Sequence, residues 1–460
     1  TTRIGAIHIV VFAGFGSDAL SERIRLAGAK YLVTTDVTYR KGKRVDLQSI
    51  VNAALSDPAS PVMKAVILNR NDSLAEINGG KKIGWEQFLE QGEGKSSEHE
   101  PVESNEAAFI LATSGTTAKP KLVVHVHGGY QVWLRSTGDW LYRLREQDAW
   151  WSVSDIGWVV GHSYIVYSPL LFGCTTIAYE GAIDHPGPET FYRILERNCV
   201  TGIFMAPTGV RLLMRYGTEI ARRFNLSSVE RVFCAGEVLN PPAWEWLQKE
   251  VFNSRVPVID HMWQTETGGP IICNPYGVGL LPSKPGSATV PLPGVSVEVR
   301  TTDGKTCETD EKGIVVLTRP FPGLTPTSWG DPERYKSDYW GKIPGVYFTG
   351  DAGYIDKDGY VWFSGRADEI IKIAAHRIGT IEVESALLRH PGIAEAGVTG
   401  RPDELRGEVI SAFAVLRAGY QPSEKLRQEL LETVRRFIGP VAVIGDLNFV
   451  SMLPKTRSGK

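Results

Sequence analysis

Nine consecutive residues, Thr113-Ser114-Gly115-Thr116-Thr117-Ala118-Lys119-Pro120-Lys121, gather four hydroxyl side chains, one glycine and two lysines. Hydroxyls and main-chain amides donate hydrogen bonds to phosphate oxygens, lysine adds positive charge, and glycine lets the backbone come close to a ligand. The stretch suits a phosphate, although it lacks the GxxxxGK[ST] spacing of a P-loop. An ordinary Ser/Thr-rich turn has the same composition, and composition alone leaves the two readings balanced. A second group, Trp263-Gln264-Thr265-Glu266-Thr267-Gly268-Gly269, follows the run Val256-Pro257-Val258-Ile259 and Asp260. Carboxylate and hydroxyl oxygens at the end of a buried strand can hold a hard divalent cation and a phosphate. A third, Tyr347-Phe348-Thr349-Gly350-Asp351, sets an acid where it can accept hydrogen bonds from both hydroxyls of a ribose. Ser364-Gly365-Arg366-Ala367-Asp368 comes shortly after it. The last is Leu453-Pro454-Lys455-Thr456-Arg457-Ser458-Gly459-Lys460, a basic end that by itself reads as solvated charge.

The elements that must position these groups follow from hydrophobic periodicity. Ala107-Ala108-Phe109-Ile110-Leu111 and Leu122-Val123-Val124-His125 read as strands on either side of the first loop. From 107 to about 320, apolar strand-like runs alternate with helical ones, and the fold class is mixed α/β in more than one domain. Residues 91–106, 182–189 and 318–346 read as loop or irregular chain. Thr380 is expected to cap a helix through Leu388. Ser423 is expected to cap another with Leu426, Leu430, Val434 and Ile438 on one face, stopped by Gly439-Pro440. We expect a large domain over 1–366 and a small mobile one over 367–460, jointed near Asp368. The chain begins at Thr1 inside a running pattern and stops on a motif, so it reads as a piece of a longer protein.

Near the start, strand, helix and strand over residues 5–36 contain Gly14-Phe15-Gly16, with Asp36 twenty residues after Gly16. This imitates a dinucleotide fingerprint and supports a rival reading as an NAD(P)-dependent oxidoreductase. Gly94-Lys95-Ser96 ends like a Walker motif, but a helical stretch rather than a strand precedes it. Bulk properties narrow the field further. Fifty basic against fifty-two acidic residues leave a net charge of −2, with no general attraction to nucleic acid or anionic lipid. No run reaches transmembrane length. The five cysteines are scattered, which argues for a reducing, cytoplasmic setting and against a disulfide framework. Cys174 and Cys234 read as core. His125, His127 and His162 read as structural.

Taken in series, the four motifs resemble those of the adenylate-forming superfamily. Asp155-Ile156-Gly157-Trp158-Val159-Val160-Gly161-His162-Ser163 and Gly330-Asp331-Pro332-Glu333-Arg334-Tyr335 resemble its acetyl- and propionyl-CoA synthetase branch. The resemblance covers essentially the whole chain and implies ATP, Mg²⁺ and coenzyme A as cofactor and co-substrates. It implies Thr113, Ser114, Gly115, Thr116, Thr117 and Lys119 at the phosphates, Thr265 at the α-phosphate and Glu266 on the metal. Gly236 and Glu237 would face adenine, Asp260, Trp263 and Gln264 complete the nucleotide site, Asp351 and Arg366 hold ribose, and Arg377 approaches phosphate. Lys460 matches the catalytic lysine, and by the same likeness would be open to regulation by acetylation. Asp368 matches the hinge. Trp158, Val159, Val160, Ala235 and Trp263 would line the acyl slot, with Trp263 as its end wall. Ala235 and Val160 stand where acetate-selective members tend to carry valine and threonine, which opens room for propionate. Arg40, Lys43 and Arg435 would meet the 3′-phosphate of coenzyme A, and Ala374-Ala375 its pantetheine. The implied activity is an AMP-forming ligase of acetate or propionate. Two alternatives are a ligase for 3-hydroxypropionate or another short acid, and a non-catalytic nucleotide-binding module.

Overall fold

The computed structural model describes residues 1–70, 80–96, 98–113, 120–367, 371–373, 376–403, 407–439 and 442–454. Its centre is an eleven-stranded sheet that changes character half way. In the first half Ala149–Ser152, Gly202–Met205, Arg231–Cys234 and Val258–Met262 run parallel, with Phe204 opposite Phe233 and Cys234 opposite Asp260. These strands are buried on both faces (Gly202–Met205 and Arg231–Cys234 along their whole length), which is why they read as continuous apolar runs. Beyond Met262 the sheet turns antiparallel through Ser287–Pro291, Val361–Arg366, Tyr347–Ile355 and Gly313–Leu317. One large core, including Phe109, Trp133, Tyr164, Phe233 and Tyr347, runs beneath both halves.

A three-stranded sheet of His8–Ile9, Ala107–Thr113 and Lys121–Val126 packs beside the large one. His8 pairs with Phe109 in parallel, whereas Tyr31–Thr35 pairs with Lys64–Leu68 in a different sheet. The two strands flanking Gly14-Phe15-Gly16 are therefore not neighbours, and the βαβ unit that a dinucleotide site needs is missing. Asp36 is buried, and its Oδ1 accepts the amides of Val37 at 2.9 Å and Arg70 at 2.8 Å. The oxidoreductase reading is overturned on both counts. Gly94-Lys95-Ser96 lies in the turn region after the helix Trp85–Glu90, as its preceding pattern indicated.

The C-terminal part has its own core, with Val383, Leu387, Ile410, Leu430 and Val434 at its middle. Ile393–Asp403 and Gly407–Leu416 pair over their whole length, and Ile444–Phe449 adds to the second in parallel. Ser423 caps the helix Glu424–Ile438 by accepting the Leu426 amide at 3.1 Å. Thr380 does not cap. It is already the first residue of the helix Thr380–Leu388, and the extended boundary residue is Gly379, which lies so close to the Ser364 carbonyl that a Cβ would not fit. Lys312–Glu382 (2.6 Å) and Arg215–Glu395 (3.8 Å) tie this part to the larger one. Among the described residues, no helix is long and apolar enough to cross a membrane.

Candidate nucleotide and acyl site

Ligands of open parallel sheets bind at the carboxyl ends of the strands. Here three such ends lie side by side. Cys234 leads into Ala235-Gly236-Glu237, Met262 into Trp263-Gln264-Thr265-Glu266, and Met205 into the turn before the helix Pro207–Met214. Gly236 has φ +106, a left-handed conformation that side chains resist. Asp260 fastens this edge from below: its two carboxylate oxygens accept the amides of Leu239 at 2.9 Å and His261 at 3.0 Å. Burial pushes the Asp260 carboxyl up to about 8, so at neutral pH it is largely uncharged. One of these contacts, to Leu239, ties it to the turn that carries Gly236 and Glu237, and the other is to the next amide of its own strand. Glu237 receives Arg211 on both oxygens at 2.8 Å and the Thr208 hydroxyl. Neither partner was visible from sequence, because both lie in the helix Pro207–Met214 that follows the neighbouring strand.

The second and third motifs meet. Gln264 donates from Nε2 to the Thr349 carbonyl at 2.7 Å and to Asp351 Oδ2 at 2.8 Å. Arg366, directly opposite Asp351 in the ladder, reaches Asp351 Oδ1 at 3.3 Å and Thr349 O at 3.1 Å. Gly350 lies between them at φ +77. The first motif joins the same assembly through its ends. Thr113 and Lys121 face each other where the strands Ala107–Thr113 and Lys121–Val126 open into the loop. Lys121 Nζ sits 2.9 Å from Asp338 and 3.4 Å from the Tyr339 hydroxyl, which in turn donates to Glu266 Oε1. Burial first, then the Glu266 charge, raises the Tyr339 phenol, so it keeps its proton and is the donor. His125 clamps the loop from behind. Its Nε2 lies 2.8 Å from the Thr265 carbonyl, which can only accept, and burial lowers this histidine to about 4, so it stays neutral. The Thr113 hydroxyl is buried with no hydrogen-bond partner among the described residues.

Val159, Val160, Ala235 and Trp263 all pack into the large core, and Trp263 meets Tyr164 edge-on at 5.5 Å. Trp158 packs on Phe12 and Phe15 instead, at 5.4 and 6.4 Å. Arg40 and Lys43 are paired across a two-residue turn between Val37–Arg40 and Lys43–Asp46. The turn is anchored by Lys41–Asp184 at 2.9 Å. Arg435 lies in the last turn of Glu424–Ile438. Arg377 falls in the strand His376–Ile378. Ser114, Gly115, Thr116, Thr117, Lys119, Asp368, Ala374, Ala375 and Lys460 lie outside the described residues. His162 is buried and stacks with His8 at 5.5 Å, in keeping with a structural part.

Sequence reasoning missed Tyr339, Asp338 and Arg211. Tyr339 falls in the stretch read as irregular, yet Pro332–Tyr335 is helical and continues as a wider helical turn through Lys336–Trp340. The signal was present: Asp331 caps it by accepting the Arg334 amide at 3.1 Å, with proline at the first helical position.

A sheet that is parallel and then antiparallel, a small C-terminal unit, and nucleotide-type loops along one strand edge define an adenylate-forming fold. Solved structures share it: anthranilate CoA ligase AuaEII in complex with anthranoyl-AMP superposes with a TM-score of 0.85 at 22% identity over 100% of this chain and 81% of that one. The family described as AMP-binding enzyme matches residues 1–327, and its C-terminal domain matches residues 382–460. The chain belongs to the AMP-binding enzyme family. It is 46% identical to the acetyl-coenzyme A synthetase of Pyrobaculum aerophilum, covering 100% of this chain and 68% of the relative. It is 45% identical to the 3-hydroxypropionyl-coenzyme A synthetase of Sulfurisphaera tokodaii, over 100% and 70%.

Proposed function

We infer that the protein is an AMP-forming acid–thiol ligase acting on a short carboxylic acid, ATP and coenzyme A. The observation that carries this is the linkage of three sequence-distant motifs at one sheet edge, Gln264 to Asp351 to Arg366 and Lys121 to Tyr339 to Glu266. In the first half-reaction a carboxylate oxygen attacks the α-phosphorus, and the bond to pyrophosphate breaks. In the second, the thiol sulfur attacks the acyl carbon, AMP leaves, and the thiol proton is released. Asp351 and Arg366 would hold the ribose, Glu237 and Gly236 the adenine side, and Lys460 would offset the repulsion between two anions in the first half only. Carboxylate and hydroxyl oxygens, with Thr113 lacking a partner among the described residues, suit Mg²⁺. Bound at Glu266 with the triphosphate, it would supply charge neutralisation. The joint is proposed at Asp368, with 367–460 turning between the two halves.

Acetate or propionate is the acid favoured by the small side chains of Ala235 and Val160 beside Trp263. The near-equal likeness to the 3-hydroxypropionyl-coenzyme A synthetase supports a slightly longer acid as the second reading. The test is product analysis with acetate, propionate and 3-hydroxypropionate, with and without coenzyme A. AMP and pyrophosphate should appear in equal amounts and depend on both acid and thiol. ADP with phosphate, or turnover indifferent to the thiol, contradicts the reading.

A further inference from the structure

Tyr339 lies where three motifs cross. Its ring stacks on Tyr347, at the start of the Asp351 strand, with centroids 5.1 Å apart and planes 7° from parallel. Lys121, at the closing end of the phosphate loop, reaches its hydroxyl at 3.4 Å and lies 4.5 Å from its ring centre. The hydroxyl donates to Glu266 Oε1, the only side chain bonded to that carboxylate among the described residues. Lys121 is itself held by Asp338 at 2.9 Å, and Arg334 approaches the same aspartate at 3.5 Å.

A glutamate rotates freely about three bonds, and each immobilised rotamer costs entropy. A phenol fixed by stacking on one side and by a cation on the other removes that freedom before any ligand arrives. It also occupies one carboxylate oxygen and leaves Oε2 for another partner. We propose that Tyr339, held by Lys121 and Tyr347, is the positioning residue for Glu266, presetting its carboxylate to bind a phosphate-bound divalent cation through Oε2. This rests on the reading of Glu266 as the metal residue.

The test compares nucleotide affinity with and without the cation. Tyr339→Phe keeps the stacked ring and deletes only the donor. By calorimetry with a non-hydrolysable ATP analogue, the variant should bind about tenfold more weakly in Mg²⁺, the loss of one hydrogen bond to a charged group. In EDTA its affinity should stay within about twofold of the parent, as no metal then reads the carboxylate. In a Glu266→Gln background the same substitution should add nothing further. Equal losses with and without Mg²⁺, or additive effects of the two substitutions, overturn the proposal and make Tyr339 a packing residue. If the parent protein binds the analogue no better with Mg²⁺, the metal reading of Glu266 fails instead.

Discussion

Gly350→Ala probes the proposed ribose end of the site by a single methyl group. Gly350 has φ +77, and a Cβ there would stand 2.7 Å from Arg366 Nη1 and 2.8 Å from Cζ. Two costs follow. The left-handed backbone costs alanine roughly 1–2 kcal/mol. The guanidinium, the free end of a long side chain, moves aside at little further cost in stability, so unfolding should shift by only a few degrees. The functional cost is larger, because Arg366 is then displaced from Asp351 Oδ1 and the Thr349 carbonyl, 3.3 and 3.1 Å away. Losing one or two charge-assisted hydrogen bonds to a ribose is worth about 1.5–3 kcal/mol, or roughly 10–150-fold in the dissociation constant of AMP. Calorimetry with AMP and with its 2′,3′-dideoxy analogue separates the causes. The penalty should be large for AMP and nearly absent for the dideoxy form, which offers Asp351 and Arg366 nothing to hold. An equal penalty on both nucleotides, or unchanged AMP binding beside a lowered unfolding temperature, would refute the assignment of this pair to ribose.

Three further outcomes are expected. Lys460→Ala should abolish acid-dependent ATP–pyrophosphate exchange while sparing thioester formation from supplied acyl-adenylate; loss of both halves contradicts that division. Ala235→Val should lower the propionate-to-acetate ratio of kcat/KM by about tenfold, since one methylene in such a pocket is worth roughly 1–3 kcal/mol, and an unchanged ratio would remove Ala235 from the acyl slot. Acid should destabilise the fold between pH 6.5 and about 4. Burial lowers His8, His125 and His162 to about 4 and His261 to about 3, so the unfolded chain takes up protons in this window that the native state refuses. Asp260, raised to about 8, works the other way, favouring the native state as pH falls, but it is one group against four. A urea midpoint that stays flat from pH 7 to 5 would show that these histidines charge without unfolding.

How far these features could be read from the chain depends on the range of the interaction that creates them. Ser423 as a cap and the strands around Thr113–Lys121 need only nearest neighbours and burial, and they were legible. Thr380 failed because its boundary lies against a remote carbonyl: Gly379 packs on Ser364 and takes the cap position, so the helix starts one residue earlier. The Gly14–Gly16 turn deceived for a related reason. Local pattern fits a βα turn, but whether the strands on either side become neighbours is decided by Phe109 and Lys64–Leu68, which claim them for separate sheets. The site itself divides in the same way. Gln264, Glu266, Asp351 and Arg366 are named by their own motifs, since each carries a group whose chemistry is plain. What fixes their positions is supplied from elsewhere: the Thr265 loop by His125, 140 residues away along the chain, and Glu266 by Tyr339, 73 residues away. Side chains proposed to meet ligands are therefore the legible ones, while those that hold them in place are not. An aiming residue needs only a donor at the right point, and many positions in a folded chain could provide one. That asymmetry also makes the pairing of Tyr339 with Glu266 testable, because a residue that merely aims should lose its effect once its target is gone.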